Sequence, residues 1–147
     1  HSWKTHHLDL IKPYEQIASH YSTNLKRNLK KSDEASLNVV ESIKPEDIIQ
    51  IFRDNKGKGL TNLGDADYDM LRRMIYVMIY KRSAKVMGVF DEQNTLCAGA
   101  FFVISGKKVI FYFSATNEQA KKNAAMPFLI DHFIRKHAGS HLTLDFE

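Results

Sequence analysis

Two short stretches near the end of the chain have the residue types and the position to bind a ligand. Phe113-Ser114-Ala115-Thr116 follows an apolar segment, and Asp145-Phe146-Glu147 closes the sequence. If both follow parallel strands of one sheet, they meet at its carboxyl edge, where ligands of open sheets gather. This edge is the predicted ligand site.

A helix start between these stretches adds an anion-binding feature. Pro127 is typical of a first helical turn, so Asn123-Ala124-Ala125-Met126-Pro127 is expected to form the amino end of a helix. The unpaired N–H groups and the helix dipole favour an anion such as a phosphate there. Lys121 and Lys122 add positive charge at the same point. Free exposure of both lysines to solvent is an equally good interpretation.

The elements that must position these residues are strands and one helix. Leu96–Ile104 and Val109–Ser114 are apolar segments joined by turn residues at 105–108, which predicts a hairpin. A helix from Pro127 to near Gly139 and a strand at 142–146 follow. Strand, helix and strand in this order predict a right-handed parallel crossover. A further strand at 85–90 precedes the hairpin, so the sheet is expected to be mixed and mainly antiparallel.

The first half of the chain predicts helices and short edge strands. Strands are expected from Trp3 to Leu10 and from Leu37 to Val40. A short helical segment opens at Pro13, and Ser22 or Thr23 caps a helix with basic residues on its outer face. A third helix starts at Pro45. The fourth carries Met70, Met74 and Met78, which we expect in the core because they recur every four residues.

The segment from Leu96 to Ile104 is apolar on both of its faces. Ala98, Ala100 and Phe102 alternate with Gly99 and Phe101, and Cys97 is expected on the side of Gly99. A sheet that is apolar on both faces needs cover on both. We expect the helices of the first half on one face and the crossover helix on the other. The predicted fold class is therefore α/β (α+β), a three-layer α/β/α domain.

Composition and charge exclude several classes of protein. The 147 residues, 44% hydrophobic and 26% charged, fit one globular domain, and no apolar run approaches the length of a membrane span. The single cysteine, Cys97, rules out an internal disulfide or a cysteine-based zinc site, and His6-His7 has no partner at ligand spacing. We expect no metal, no membrane span and a cytoplasmic location. The excess charge of +4 lies before Ser32, which indicates a local basic patch.

The order of elements resembles the GNAT acyltransferase fold. Tyr21 to Lys31, preceded by Leu8-Asp9-Leu10, is similar to the start of the second GNAT-like domain of FemAB-like proteins, as are 98–102 and 144–147. Those proteins pair two such domains and transfer aminoacyl groups from tRNA onto peptidoglycan precursors, and related domains use acyl-CoA. The resemblance implies a lead-in strand and linker at 1–20, with an origin in a preceding domain left open. It also implies a GNAT-like domain at 21–147, truncated after its last strand.

The resemblance implies an N-acyltransferase that uses acetyl-CoA or another acyl-CoA and a small-molecule or peptide-like amine. Backbone N–H groups of residues 113–116 would hold the donor's pantetheine or stabilise the oxyanion. Asp145 or Glu147 would take the proton of the amine, and Tyr112 would protonate the leaving thiolate. The pyrophosphate region corresponds to the following residues: Lys121, Lys122, Asn123, Ala124, Ala125 and Met126.

Several alternatives stay open. Asp145 and Glu147 alternate with apolar residues, as on an ordinary half-exposed strand end, and Tyr112 could simply pack its ring. Aminoacyl transfer from tRNA is the second donor hypothesis. A non-catalytic binding domain is an alternative function, since residues 121–126 lack the glycines of the usual Q/R-x-x-G-x-G/A motif. A nucleic-acid-binding module that uses residues 26–31 is a further alternative function. Partners would include a second GNAT-like domain or a second copy.

Overall fold

The computed structural model describes residues 7–147 and contains one six-stranded sheet with helices on both faces. The first half of the chain consists of β1 (His7–Asp9), α1 (Tyr14–Ser19), α2 (Thr23–Asp33), β2 (Asn38–Val40), α3 (Pro45–Asp54), a 3-10 turn (Lys56–Gly59) and α4 (Asp65–Tyr80). The second half consists of β3 (Ala84–Phe90), β4 (Leu96–Ser105), β5 (Lys108–Thr116), α5 (Glu118–Lys122), α6 (Ala125–His137) and β6 (Thr143–Asp145). The start of the predicted first strand, 3–6, lies outside the described residues.

The strands follow the order β1-β6-β5-β4-β3-β2, and every neighbouring pair is antiparallel except β5 and β6. The predicted hairpin of β4 and β5 and the parallel crossover through α6 are both confirmed. The chain therefore has the mixed, mainly antiparallel sheet that its apolar patterning predicts. It contains no helix, within residues 7–147, long and apolar enough to cross a membrane.

The core lies on both faces of the sheet, as the double apolar pattern of β4 predicts. Ala98, Ala100 and Phe102 pack towards α6, whereas Phe101 packs towards α3 and α4. Cys97 is the exception, because it lies in the same core as Ala98 and not opposite to it. The register between β3 and β4 shifts at this point, so that an extra residue of β4 breaks the alternation.

The helices divide between the two faces differently from the prediction. Only α3 and α4 cover one face, while α1 and α2 join α6 on the other: Ile17 of α1 lies in the α6-side core, and α2 contacts α6 directly. The prediction that all first-half helices share one face is therefore wrong. Helices α1 and α2 lie on the α6 side because Ile17 joins the α6-side core and the hydroxyls of Tyr14 and Tyr21 donate hydrogen bonds to Asp131 of α6.

Two of the three α4 methionines, Met70 and Met74, lie on the surface, contrary to the prediction, whereas Met78 packs against the core between α4 and the sheet. Met70 is 73% exposed and Met74 is 36% exposed, whereas Met78 is half-buried. Tyr68 and Ile75 are the buried residues of this helix. A 3.6-residue period marks a stripe on a helix but not the direction it faces, and here the Tyr68–Ile75 side packs on the sheet.

Two helix starts agree with their sequence signals and one does not. Ser22 caps α2 by accepting a hydrogen bond from the Leu25 N–H at 3.0 Å, and Pro45 begins α3. The crossover helix was expected to open at Pro127, but it begins two residues earlier, at Ala125. Proline is tolerated there because the first-turn N–H groups have no partner within the helix.

Candidate functional site

A bulge in β5 breaks its pairing with β4 in the middle of the sheet. Phe101 lies opposite Phe113 and Phe102 opposite Phe111, so Tyr112 is the extra residue. Its ring is 50% exposed and meets the ring of Phe101 edge-on, with 5.8 Å between centroids. Bulges of this kind bend a strand and redirect its side chains. Tyr112 is thus a surface residue placed at the bend, not a packed sheet tyrosine.

The strand β6 pairs with β5 only in the part of β5 that precedes this bulge. Its three residues pair with Lys108, Val109 and Ile110, and β6 ends there. Residues 111–116 of β5 have β4 on one side and no strand of the described chain on the other. Backbone N–H and C=O groups on that side are available to a ligand, because a β-strand directs alternate groups to each of its neighbours.

A cavity of about 320 Å³ lies beside the end of β5, on the α6 side, and we call it the α6-side cavity. Ser114, Thr116, Lys121, Ala124 and Met126 line it, five of the ten residues predicted to bind a cofactor. Asn28 of α2, Ala120 and Pro127 complete the lining. The structure therefore brings together the end of β5 and the start of α6, as the parallel crossover predicts.

A second and larger cavity, of about 560 Å³, lies on the other face of the same strand end, and we call it the α3-side cavity. It shares Ser114, Thr116 and Lys121 with the first, so the end of β5 forms the wall between the two. Its far side comes from the end of α3 and the 3-10 turn: Phe52, Asp54, Asn55, Lys56 and Lys58. A molecule in either cavity could reach the same strand.

The start of α6 is built without glycine. The residues before it form the short helix α5, capped by Asn117 through a 2.8 Å hydrogen bond from the Ala120 N–H. Ala124 then turns the chain into α6 with φ 54° and ψ 45°, the left-handed conformation that glycine adopts most readily. The buried Ala124 and Ala125 keep the backbone of this turn close to the cavity. The turn therefore has a glycine-like shape at the cost of some backbone strain.

The lysines at this turn are exposed. Lys121 lines both cavities and forms a 3.8 Å ion pair with Glu118. Lys122 lies on the surface of α5, and Asn123 is half-buried at its end. Of the two lysines predicted at this point, only Lys121 lines a cavity.

The main chains of Phe113 and Ala115 lie at the end of β5, but their side chains pack into the core. The ring of Phe113 packs on that of Phe52 with 5.1 Å between centroids, and Ala115 is buried in the same α3-side core, where it also lines the α3-side cavity. Any contact of Phe113 with a ligand on the open side of β5 would therefore be made by its main chain. Ser114 alternates with these residues and lines both cavities.

The predicted carboxylates lie at a different level of the sheet. Asp145 is opposite Ile110, six residues before Thr116, which corresponds to about 20 Å along β5. Its carboxylate lies 3.6 Å from the Lys108 Nζ and 3.5 Å from the His7 Nε2, and it accepts a 2.8 Å hydrogen bond from the Glu147 N–H. That backbone hydrogen bond, with the charge of Lys108, holds the pKa of Asp145 below its ordinary value. Glu147 is exposed. Because Asp145 lies level with Ile110, it is closer to the bulge than to the strand end.

Two tyrosines join α1 and the start of α2 to the middle of α6. Tyr14 and Tyr21 each donate a hydrogen bond from the hydroxyl to Oδ1 of Asp131, at 2.7 and 2.8 Å. Arg135 donates to Oδ2 at 3.4 Å and lies over the Tyr14 ring at 4.1 Å. Burial and the negative charge of Asp131 raise the pKa of Tyr21 and bring that of Tyr14 to about 12. This network holds the helix that presents Asn28.

Sequence reasoning missed Asn28 and the α3-side residues. Asn28 follows Leu25 by three residues on the inward side of α2, so its spacing was a usable signal. Lys56 and Lys58 belong to the glycine-containing 3-10 turn Lys56–Gly59, between α3 and α4. Its composition predicts a turn, but nothing local tells which part of the sheet it faces.

Comparison with known proteins identifies the fold. No family model matches the sequence, and no curated protein matches it. The chain is similar to FemX, with a TM-score of 0.68 at 11% identity over 95% of this chain and 51% of FemX. It is also similar to a conserved protein of unknown function from Bacteroides thetaiotaomicron, with a TM-score of 0.64 at 9% identity over 97% of this chain and 50% of that one.

A third similarity is to a predicted acetyltransferase with acetyl-CoA from Clostridium acetobutylicum. The TM-score is 0.52 at 16% identity, over 69% of this chain and 73% of that one. The chain thus has a GNAT-like fold with a structural likeness to FemX, which confirms the resemblance drawn from the sequence. It spans about half the length of FemX and of the Bacteroides protein.

Proposed function

We propose that this chain is an N-acyltransferase domain that moves an acyl group from acyl-CoA to an amine. The observation that carries the proposal is the open side of β5 after the bulge at Tyr112, with the start of α6 beside its end. An extended amide-containing donor can pair with a free strand edge as another strand would. The Clostridium acetobutylicum protein of the same fold, described with acetyl-CoA, adds support.

The donor would lie along residues 113–116 and enter the α6-side cavity. Its pantetheine amides would exchange hydrogen bonds with the free main-chain groups of β5, and its phosphates would face the first N–H groups of α6 and Lys121. The turn at Ala124 leaves room for this approach, since no longer side chain stands there. Lys122, Asn123, Ala125 and Met126 belong to the same predicted region.

The acceptor amine would attack the carbonyl carbon of the thioester at the Tyr112 bulge, where β5 and β6 part. A C–N bond forms, the tetrahedral oxyanion is held by main-chain N–H groups of β5, and its collapse breaks the C–S bond. The amine proton would pass to Asp145 or Glu147, and the thiolate would take the proton of Tyr112. Asp145 lies opposite Ile110, two residues from Tyr112 along the strand, so both predicted groups flank the bulge.

Calorimetric titration with coenzyme A and acetyl-CoA tests the donor. We expect saturable binding that weakens about tenfold in Lys121→Glu, because a repulsive charge would replace an attractive one beside the phosphates. Lys107→Glu is the matched control, since Lys107 is an exposed lysine of the β4–β5 turn at the other end of the strand. Equal effects of the two substitutions, or no binding of either ligand, would reject acyl-CoA as the donor.

Aminoacyl-tRNA is the second candidate donor. FemX supports it through the fold alone, and the exposed residues Lys26, Arg27, Lys30 and Lys31 of α2 supply a basic surface. Binding of charged tRNA without binding of coenzyme A, lost on Lys26→Ala with Arg27→Ala, would favour this candidate. If neither donor binds, the chain is a non-catalytic binding domain. A second GNAT-like domain or second copy as partner, and a cytoplasmic location, remain predictions.

A further inference from the structure

An apolar cavity of about 440 Å³ lies at the end of the sheet opposite to the proposed donor site. It forms where β4 ends, β5 begins and α6 ends, and we call it the Phe133 cavity. Val109, in its wall, precedes Thr116 by seven residues, or about 23 Å along β5. The two sites are therefore separate, and a ligand here would leave the carboxyl end of β5 free.

The walls of the Phe133 cavity are apolar and well supported. Phe133 and Val109 are almost fully buried, and Ile104, 37% exposed, stands at the opening. The ring of Phe133 stacks on that of Phe102 at 4.6 Å between centroids. The volume is within the range of small-molecule sites, and such stacking indicates a cavity that exists before a ligand enters.

The charged and imidazole side chains of the lining are Lys85, His137 and His141, and all three carry nitrogen donors. The nearest carboxylate, Glu41, is already occupied, since it accepts hydrogen bonds from Lys85 at 2.9 Å, from Lys136 at 2.8 Å and from His132 at 2.8 Å. Burial, with the charges of Lys85 and Lys136, lowers the pKa of His137, so its imidazole is a neutral donor and acceptor at neutral pH.

The carbonyls at the end of α6 are also used within the chain. The Ile134 C=O accepts from the Ala138 N–H at 2.8 Å, and the His137 C=O accepts from both the N–H and the hydroxyl of Ser140. A ligand cation would find few free acceptors in this cavity. A ligand anion would find two imidazoles above an apolar floor, together with the donors that the Lys85 ammonium has left beside its hydrogen bond to Glu41.

We propose that the Phe133 cavity binds a small carboxylate with an aromatic or branched aliphatic body. The body lies on Phe133 and Val109, and the carboxylate faces Lys85, His137 and His141. This ligand class is independent of the proposed acyl transfer, because the cavity lies at the other end of β5.

Three phenyl compounds of similar size and different charge test the proposal by NMR titration: phenylacetate, phenylacetamide and phenethylamine. We expect phenylacetate to shift the methyl signals of Ile104, Val109 and Leu142 and to bind about tenfold more tightly than the amide, because a charge-assisted hydrogen bond is added. The amine should bind least. Equal binding of acid and amide, or shifts centred on Ser114 to Thr116, would overturn the proposal.

Two variants locate the binding and one controls for general effects. Replacing the exposed His141 by Ala should weaken phenylacetate several-fold and leave phenylacetamide unchanged, whereas Ile104→Trp should weaken both by narrowing the opening. His20→Ala removes another exposed histidine, on α1's end, and should change neither. Loss of phenylacetate binding in His20→Ala would also reject the proposal. So would a wild-type titration that does not saturate by about 10 mM, because the affinity would then be weaker than that of a specific millimolar site.

Discussion

Tyr21 donates a hydrogen bond from its hydroxyl to Oδ1 of Asp131 at 2.8 Å, across 110 positions of the sequence. The bond joins the residue before the α2 cap to the middle of α6. It therefore fixes the spacing between the helix that presents Asn28 and the helix whose start faces the end of β5. The geometry of the α6-side cavity depends on this polar contact as well as on apolar packing.

Tyr21→Phe should lower the free energy of unfolding by about 2 kcal/mol, since it removes a hydrogen bond to a buried carboxylate. Tyr76→Phe is the matched control, because Tyr76 also donates to a carboxylate, that of Glu46, but lies exposed on α4. Denaturant unfolding should find a clear loss for Tyr21→Phe and little for Tyr76→Phe. Similar losses in both would contradict a special role of the Asp131 network.

Asn28→Ala should weaken coenzyme A binding by about five- to tenfold, the value of one lost hydrogen bond, if the donor occupies the α6-side cavity. Asn24→Ala, one turn earlier on α2 and exposed, should leave binding unchanged. Calorimetry of both variants measures this, with unfolding curves to verify that each is folded. An equal effect of the two substitutions would exclude Asn28 from the donor site.

Ala124→Gly should leave the free energy of unfolding unchanged or raise it by up to about 1 kcal/mol. Glycine relieves the strain of the left-handed conformation at φ 54°. The free energy gained in this way equals or exceeds the free energy lost because the unfolded chain with glycine has a greater conformational entropy. The neighbour Ala125→Gly, within α6 and buried, should lower stability by about 1–2 kcal/mol through lost helix propensity and lost packing. Thermal unfolding compares the two, and destabilisation of both to the same extent would contradict the strained turn.

Glu41 should contribute stability that disappears in acid. Burial opposes its charged form, but hydrogen bonds from Lys136, Lys85 and His132 outweigh this and lower the pKa to about 2 from an ordinary value of 4.5. Because the folded pKa is the lower one, the contribution is complete above about pH 4.5 and is lost as the pH falls towards 2. The side chain is 41% exposed, so solvent screening reduces the effect to about 1 kcal/mol.

Unfolding at about pH 6, above that range, and at about pH 3, within it, measures this contribution. Wild type should lose more stability between the two values than Glu41→Gln does. Glu92→Gln, in the exposed β3–β4 turn, should behave as wild type. A wild-type difference that Glu41→Gln retains in full would assign the acid sensitivity to other groups.

The sequence predicts the fold because its strongest signals are local. The two alternating apolar sets of β4 require cover on both faces, and the order strand, helix, strand allows β6 to lie parallel beside β5. The same order brings Ser114, Thr116 and the Ala124 turn to one cavity. The two-sided cover of the sheet and the parallel pairing of β5 with β6 follow from hydrophobic periodicity and connection length, and both can be read from short stretches of sequence.

The roles of Asp145, Glu147 and Tyr112 remain predictions, and their positions could not be derived. Whether Asp145 lies level with Thr116 or with Ile110 is set by the register of β6 on β5, and no local pattern encodes a register between strands. The bulge that exposes Tyr112 is likewise a mismatch between two strands. For the same reason, Met70 could not be placed: the stripe is local, but its direction depends on what α4 packs against.

By itself, the sequence determined the elements, the mixed sheet and the strand end at which the predicted site lies. Only the tertiary structure decided that β5 stands free of β6 beyond Ile110, that Asn28 completes one cavity, and that Tyr14 and Tyr21 share Asp131. Backbone propensity and hydrophobic period act over a few residues and can be found along the chain. Register, bulges and shared hydrogen-bond acceptors exist only when distant segments meet, so their free energies belong to the folded arrangement and not to any one segment.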